Sequence, residues 1–153
     1  IPVDDLYALP VLGKAIKAKK LQNLVVVSPD TGFVKQARRY ATLLQCNLAI
    51  GDKERINHDE NAEILQIIGD VKGKTAMIVD DFAISAGTLV EIANTLIEKG
   101  AGSVYAAITH GVFAPGTKER IDDSPITKLL VTDSIETQPT PMSDKVEVVT
   151  VAP

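Results

Sequence analysis

The chain has 153 residues, of which 45% are apolar and 24% charged, a globular composition that argues against disorder. Lys and Arg total 16 and Asp and Glu 20, so the net charge of −4 offers no basic excess for tracking a nucleic acid backbone. A lone cysteine, Cys46, excludes an internal disulfide framework and a cysteine-based zinc cluster, and a reducing, cytoplasmic compartment is the expectation. No apolar run approaches the roughly 18 residues of a membrane span, so no membrane partner is expected either.

The length suits one domain, residues 1–153. The first residue is Ile1 rather than Met, which points to a piece of a longer polypeptide. Residues 7–19 read as a first helix with Pro10 near its start, and Lys14, Lys17, Lys19 and Lys20 as its solvated and C-terminal charges. Residues 24–27 form a continuous apolar run, fit for a strand covered on both faces. Val34, Ala37, Ala41 and Leu44 then recur at helical spacing, and Cys46 reads as a packed thiol.

Residues 48–50 are a second strand. Residues 52–61, DKERINHDEN, carry charge without apolar periodicity and read as a mobile projecting loop, with His58 exposed in it. Residues 62–71 read as a return strand, with a Lys-Gly-Lys turn at 72–74. Residues 75–79, 104–108, 129–132 and 146–151 are further strands. Leu89, Ile92, Ala93, Leu96 and Ile97 make a helical stripe closed by Gly100. Residues 137–143, with Pro139 and Pro141, read as a surface loop, and Asp122 as an exposed side chain. The alternation predicts an α/β fold with a mostly parallel central sheet flanked by helices.

The segment MIVDDFAISAGT, residues 77–88, carries the strongest chemical signal. A buried strand ends in Asp80 and Asp81, and a loop of small residues leads into a helix starting near Thr88 or Leu89. Ser85, Ala86 and Gly87 allow close backbone approach. Their N–H groups, with the Ser85 and Thr88 hydroxyls, suit a phosphate at a helix N-terminus. Asp80 and Asp81 suit a vicinal diol, directly or through a metal ion. A phosphate and a diol a few ångströms apart describe a phosphorylated ribose. The alternative is that the two carboxylates cap a turn and the small residues merely start a helix.

VVVSPDTG, residues 25–32, repeats the strand-to-loop design. Asp30, Thr31 and Gly32 could hold a pyrophosphate and its cation, with Asp30 an oxygen ligand for Mg²⁺ and Gly32 giving close approach. An ordinary Ser-Pro-Asp turn is the alternative. Lys53 and Arg55 could close over a phosphate chain, or be a solvated charge run. His110, after the fourth apolar strand, reads as a structural hydrogen-bonder.

Taken together, VVVSPDTG, GDKER, GKTAMIVDDFAISAGT, ITHGVF and SPITKLLVTDSI resemble the C-terminal domain of ribose-phosphate pyrophosphokinases, and IPVDDLYALPVL resembles the start of that half. The resemblance implies a type I phosphoribosyltransferase-like fold. It implies transfer of a diphosphoryl group from Mg-ATP to ribose 5-phosphate, giving PRPP and AMP. Asp80, Asp81, Ser85, Ala86, Gly87 and Thr88 would bind ribose 5-phosphate, and Asp30, Thr31 and Gly32 the pyrophosphate, with Asp30 on Mg²⁺. Lys53 and Arg55 would be the catalytic cations. An N-terminal domain of similar fold, carrying much of the ATP site, and a homo-oligomer would complete the family's enzyme. The chain departs from the family pattern at Phe33, where a second glycine is usual, at Glu54, between the two cations, and at Ile84, where a polar residue is usual. The rival readings are a non-catalytic regulatory subunit that assembles with active ones, and a phosphoribosyltransferase that consumes PRPP.

Overall fold

The structure, a computed structural model, describes residues 7–55, 63–135 and 142–152, with the side chains of 54, 55, 63 and 64 left aside. In chain order its elements are α1 (Leu9–Ala18), β1 (Leu24–Ser28), α2 (Val34–Leu44), β2 (Asn47–Arg55), β3 (Glu63–Ile68), β4 (Thr75–Ala83), α3 (Gly87–Glu98), β5 (Ser103–Gly111), α4 (Thr117–Asp122), β6 (Ile126–Thr132) and β7 (Val146–Val149). The strands join in one sheet in the order β3-β2-β1-β4-β5-β6-β7. Every neighbouring pair is parallel except β2 with β3.

The central strands are apolar on both faces because helices cover both. Val25, Val27, Ala76 and Ile78 pack toward α3, whose Leu89, Ile92, Ala93 and Leu96 form the stripe expected from their spacing, and toward Ile121 of α4. The alternate residues Val26, Met77 and Val79 pack toward Leu12 and Ile16 of α1 and Ala37, Tyr40 and Ala41 of α2. Side chains of successive strand residues point to opposite faces, so one strand feeds both cores. Each of these buried Val, Leu or Ile side chains contributes about 1.5–3 kcal/mol of apolar burial.

The sheet order carries the functional consequence. From β1 the chain crosses to β2 on one side, and from β4 to β5 on the other. The carboxyl ends of β1 and β4 therefore flank a topological switch point, where open α/β sheets leave a crevice.

Five expectations need correction. Residues 52–55 are not loop: β2 runs to Arg55, its Asp52 opposite Gln66 and Lys53 opposite Leu65 of β3. Antiparallel pairing sustains a charged strand that its own periodicity does not announce. The loop's remainder, with His58, lies outside the described residues. β4 does not stop at Val79 but continues to Ala83, because Asp80, Phe82 and Ala83 pair with Ile108, His110 and Gly111 of β5. β7 ends at Val149 rather than at 151. Asp122 is only partly exposed. It pairs with Lys118 at 2.6 Å and accepts the hydroxyl of Ser143, which is itself buried rather than on a surface loop.

Two lesser expectations hold. The Cys46 thiol is partly buried and burial pushes its pKa up, as for a packed thiol. His110 Nδ1 lies 2.7 Å from the Ser134 hydroxyl, as for a structural hydrogen-bonder.

Candidate functional site

Asp30 follows β1 by two residues, and Asp80 and Asp81 lie in the last half of β4. Because β1 and β4 are neighbours, the two segments meet at the switch point. A cleft of about 370 Å³ there is lined by Asp30, Asp80, Asp81, Phe82, Ala83, Ile84, Ser85, Ala86, Gly87, Thr88 and Leu89. Seven of the residues singled out in the sequence thus come together: Asp30, Asp80, Asp81, Ser85, Ala86, Gly87 and Thr88.

The cleft has two electrostatic ends. At one, Asp80 is half-buried, and its carboxyl is pushed up to about 7 by desolvation, with the charges of Asp81 and Asp30 adding to the rise. The Asp81 N–H, 2.9 Å from Asp80 Oδ1, works in the opposite direction. Asp81 Oδ1 in turn accepts the Phe82 N–H at 2.8 Å. At the other end stands the N-terminus of α3, which has no side-chain cap and no acidic residue in its first turn. Its leading N–H groups and helix dipole favour an anion. The residue before it, Ala86, is buried with φ 56°, a left-handed conformation that turns successive N–H groups into a concave nest. A cation or diol is favoured at the first end, and a phosphate at the second.

The loop's carbonyls are occupied from behind. Ala83 O accepts the Val112 N–H at 2.9 Å. Ile84 O accepts the Ala114 N–H at 2.7 Å and the Thr117 hydroxyl at 3.4 Å. Ser85 O accepts Nη1 of Arg120. The reading of the sequence missed α4 and these contacts. Its signal was there, since Gly116 precedes the helical TKERID segment with Ile121 inward, but the segment is only six residues long.

Other expected site residues are placed differently. Asp30 Oδ1 accepts the Phe33 N–H at 2.9 Å, and the Ser28 hydroxyl donates to Asp30 O at 2.7 Å, so this carboxylate also serves as the turn cap of the alternative reading. Gly32 faces a second cleft, also about 370 Å³, on the α1 and α2 side, with Phe33, Arg39, Tyr40 and Asp81. Thr31 is exposed and lines neither cleft. Asp81 lines this second cleft as well as the first, whereas Asp80 lines only the first of the two. Lys53 Nζ is 2.8 Å from Glu91 Oε2 of α3 and does not line the first cleft. The Arg55 side chain lies outside the described residues. Gly51, which the sequence reading passed over, sits under the Asp30 loop: a Cβ there would stand 2.7 Å from the Pro29 carbonyl oxygen. Among the described residues no group of three or more His, Cys, Asp or Glu is arranged to hold a metal by itself, and no helix is long and apolar enough to cross a membrane.

Residues 59–152 match the family model described as phosphoribosyl synthetase-associated domain. A ribose-phosphate pyrophosphokinase from Thermosipho africanus is 48% identical over 155 aligned residues, covering 100% of this chain and 48% of that protein. The crystal structure of a phosphoribosylpyrophosphate synthetase from Mycobacterium smegmatis superposes with a TM-score of 0.87 at 31% identity, over 98% of this chain and 48% of that one. A purine phosphoribosyltransferase from Pyrococcus horikoshii, at 18% identity and a TM-score of 0.54 over 94% of this chain and 85% of its own, shares the fold. The chain spans about half the length of the curated relatives it matches.

Proposed function

Because the chain belongs to the phosphoribosyl synthetase-associated domain family, we propose that it supplies the ribose-5-phosphate and pyrophosphate loops of a ribose-phosphate pyrophosphokinase. In that reaction O1 of ribose 5-phosphate bonds to the β-phosphorus of ATP. The bond from that phosphorus to the oxygen bridging it to the α-phosphate breaks, AMP leaves, the O1 proton passes to solvent, and PRPP forms. One observation carries the reading: an uncapped helix N-terminus and three carboxylates share a single cleft at the switch point.

The 5-phosphate sits on the N–H groups and hydroxyls of Ser85, Ala86, Gly87 and Thr88. Asp80 and Asp81 take the ribose hydroxyls, and the Asp30–Gly32 loop the pyrophosphate. The residues fit Mg²⁺, which keeps several waters and uses one or two carboxylates beside substrate phosphates rather than a closed protein cage. Asp30 would hold it, and the charges of Asp80 and Asp81 in the same cleft would favour a cation there. When bound, Mg²⁺ neutralises phosphate oxygens of ATP. Lys53 and Arg55 stabilise the transferring diphosphoryl group, which requires Lys53 to leave Glu91. Residues 1–153 act as one domain of a longer cytoplasmic enzyme. An N-terminal domain and neighbouring subunits of a homo-oligomer complete its ATP site.

Calorimetric titration of the chain with ribose 5-phosphate, with and without Mg²⁺, tests the reading. Saturable binding to ribose 5-phosphate and none to ribose is expected, along with little AMP release from ATP. Absence of binding under both conditions would falsify the sugar-phosphate assignment. A second reading, the non-catalytic regulatory subunit, is favoured by Ile84, whose apolar side chain lines the cleft at 53% exposure. An Ile84→Asp variant that gains binding the parent chain lacks would support it.

A further inference from the structure

Arg120 makes an unusual contact for an exposed side chain, because its guanidinium reaches out of α4 to a main-chain carbonyl, Ser85 O, in the loop that lines the cleft. In a planar trans peptide the C=O of one residue and the N–H of the next point in opposite directions. The orientation of each loop N–H is therefore set by whatever holds the preceding carbonyl. Backbone donors hold two of the three units: Val112 fixes Ala83 O, and Ala114 fixes Ile84 O. The third, joining Ser85 to Ala86, is held at its carbonyl by the Arg120 side chain. With Ser85 O held by α4, the Ala86 N–H is directed away from α4, none of whose residues lines the cleft that Ser85 and Ala86 border.

This unit has a reason to turn over. Ala86 has φ 56°, where a Cβ crowds the following carbonyl. A flip of the Ser85–Ala86 peptide rotates that angle by half a turn, to about −120°, an ordinary value for alanine. It also points Ser85 O into the cleft and turns the Ala86 N–H away. An acceptor then replaces a donor where an anion is to sit.

We infer that Arg120 is a positioning residue that clamps the Ser85–Ala86 peptide in its anion-accepting orientation. Through that clamp it sets the affinity of the loop for a phosphorylated sugar. The inference rests on the phosphate reading of this loop for its consequence, but not for the clamp itself.

The experiment uses the 153-residue chain without ligand first. In the parent, ¹⁵N relaxation dispersion at Ser85, Ala86 and Gly87 is expected to be flat. Arg120→Met is expected to produce millisecond exchange or a second Ala86 conformer, with an unchanged melting temperature. Arg120→Lys, which keeps a donor at the end of a long stem, is expected to restore much of the parent behaviour. Ala86→Gly combined with Arg120→Met is expected to give less exchange than Arg120→Met alone, because glycine has no strain to escape. An unaltered Ala86 signal and flat dispersion in Arg120→Met would overturn the clamp. Titration with ribose 5-phosphate then reads the consequence, a loss of about tenfold or more in Arg120→Met. If the parent chain fails to bind ribose 5-phosphate while Arg120→Met still sets the loop moving, the clamp stands and the sugar-phosphate reading falls. If the parent binds and Arg120→Met binds equally well, the role in affinity is overturned.

Discussion

Val27 of β1 and Ile78 of β4 are partners in the parallel ladder. That register sets Asp30, three residues beyond Val27, against Asp80, two residues beyond Ile78, across the crevice where the chain leaves the two strands in opposite directions. The cleft's negative end comes from this pairing, since Asp30 adds to the burial and the Asp81 charge that raise Asp80.

The raised pKa has a consequence for stability. The folded-state value of Asp80 lies near 7, above the ordinary 3.8 expected when the chain unfolds. Between those values the folded chain holds a proton that the unfolded chain has released. The stabilisation is therefore fully present below about 4 and is lost as pH rises through 7. Asp80→Asn is expected to melt higher than the parent at pH 8 in the absence of ligand, by about 2 kcal/mol after allowing for solvent screening of a half-exposed group. The two proteins are expected to converge as the pH falls toward about 4. A thermal-shift series in pH checks this, and a parent curve flat from pH 5 to 8 would rule it out.

Substrate binding is expected to separate the cleft from the rest of the acidic surface. Asp81→Ala lowers affinity for ribose 5-phosphate by about tenfold or more. Asp123→Ala, exposed at the end of α4, leaves it unchanged. Asp122 is unsuited as a control because Lys118 and Ser143 hold its carboxyl below the usual range in a network of its own. Equal losses from the Asp81 and Asp123 changes would remove the assignment.

Lys53 is expected to matter to neither folding nor sugar binding. Its ion pair with Glu91 is partly exposed, and such pairs contribute at most about 1 kcal/mol. Lys53→Ala should keep both melting temperature and ribose-5-phosphate affinity close to the parent values. A tenfold loss of affinity in calorimetry would place the amine on the sugar phosphate instead of the transferring group.

Gly51→Ala is expected to disturb the Asp30 loop without touching it chemically. Its new Cβ would meet the Pro29 carbonyl oxygen at 2.7 Å, and neither backbone can yield cheaply. A destabilisation of about 1–3 kcal/mol follows. Chemical-shift changes at Asp30 and Phe33 are expected with it. Denaturant unfolding and amide spectra check the two effects together, and unchanged loop shifts would contradict the packing.

Much of this fold is legible in local sequence. The runs around Val26, Met77, Ala107 and Leu130 have the continuous apolarity of strands buried on both faces, and the Leu89 to Leu96 stripe has the period of a helix resting on them. Residues 85–88 announce a close-approach loop because their small size acts at the position itself. Pattern offered Lys53 and Arg55 either as cations that could close over a phosphate chain or as a solvated charge run, and the resemblance implied the first.

The tertiary structure decided the rest, because the forces involved join residues distant in the chain. Asp52 to Arg55 become strand only when β3 lies beside them, since ladder hydrogen bonds and not side-chain period hold so charged a segment extended. Asp80 and Asp81 stay in β4 because β5 pairs past them as far as Gly111. Asp80 reaches about 7 because folding withdraws it from water and brings Asp30 near, neither of which adjacency to Asp81 in the sequence could supply. Arg120 finds Ser85, 35 residues away, only because α4 packs behind the loop. The sequence by itself determined which segments could be strands, helices and an anion-accepting loop, since those preferences act within a few residues. Their assembly into one cleft depended on sheet order and register, which arise only when the whole chain buries its two cores at once.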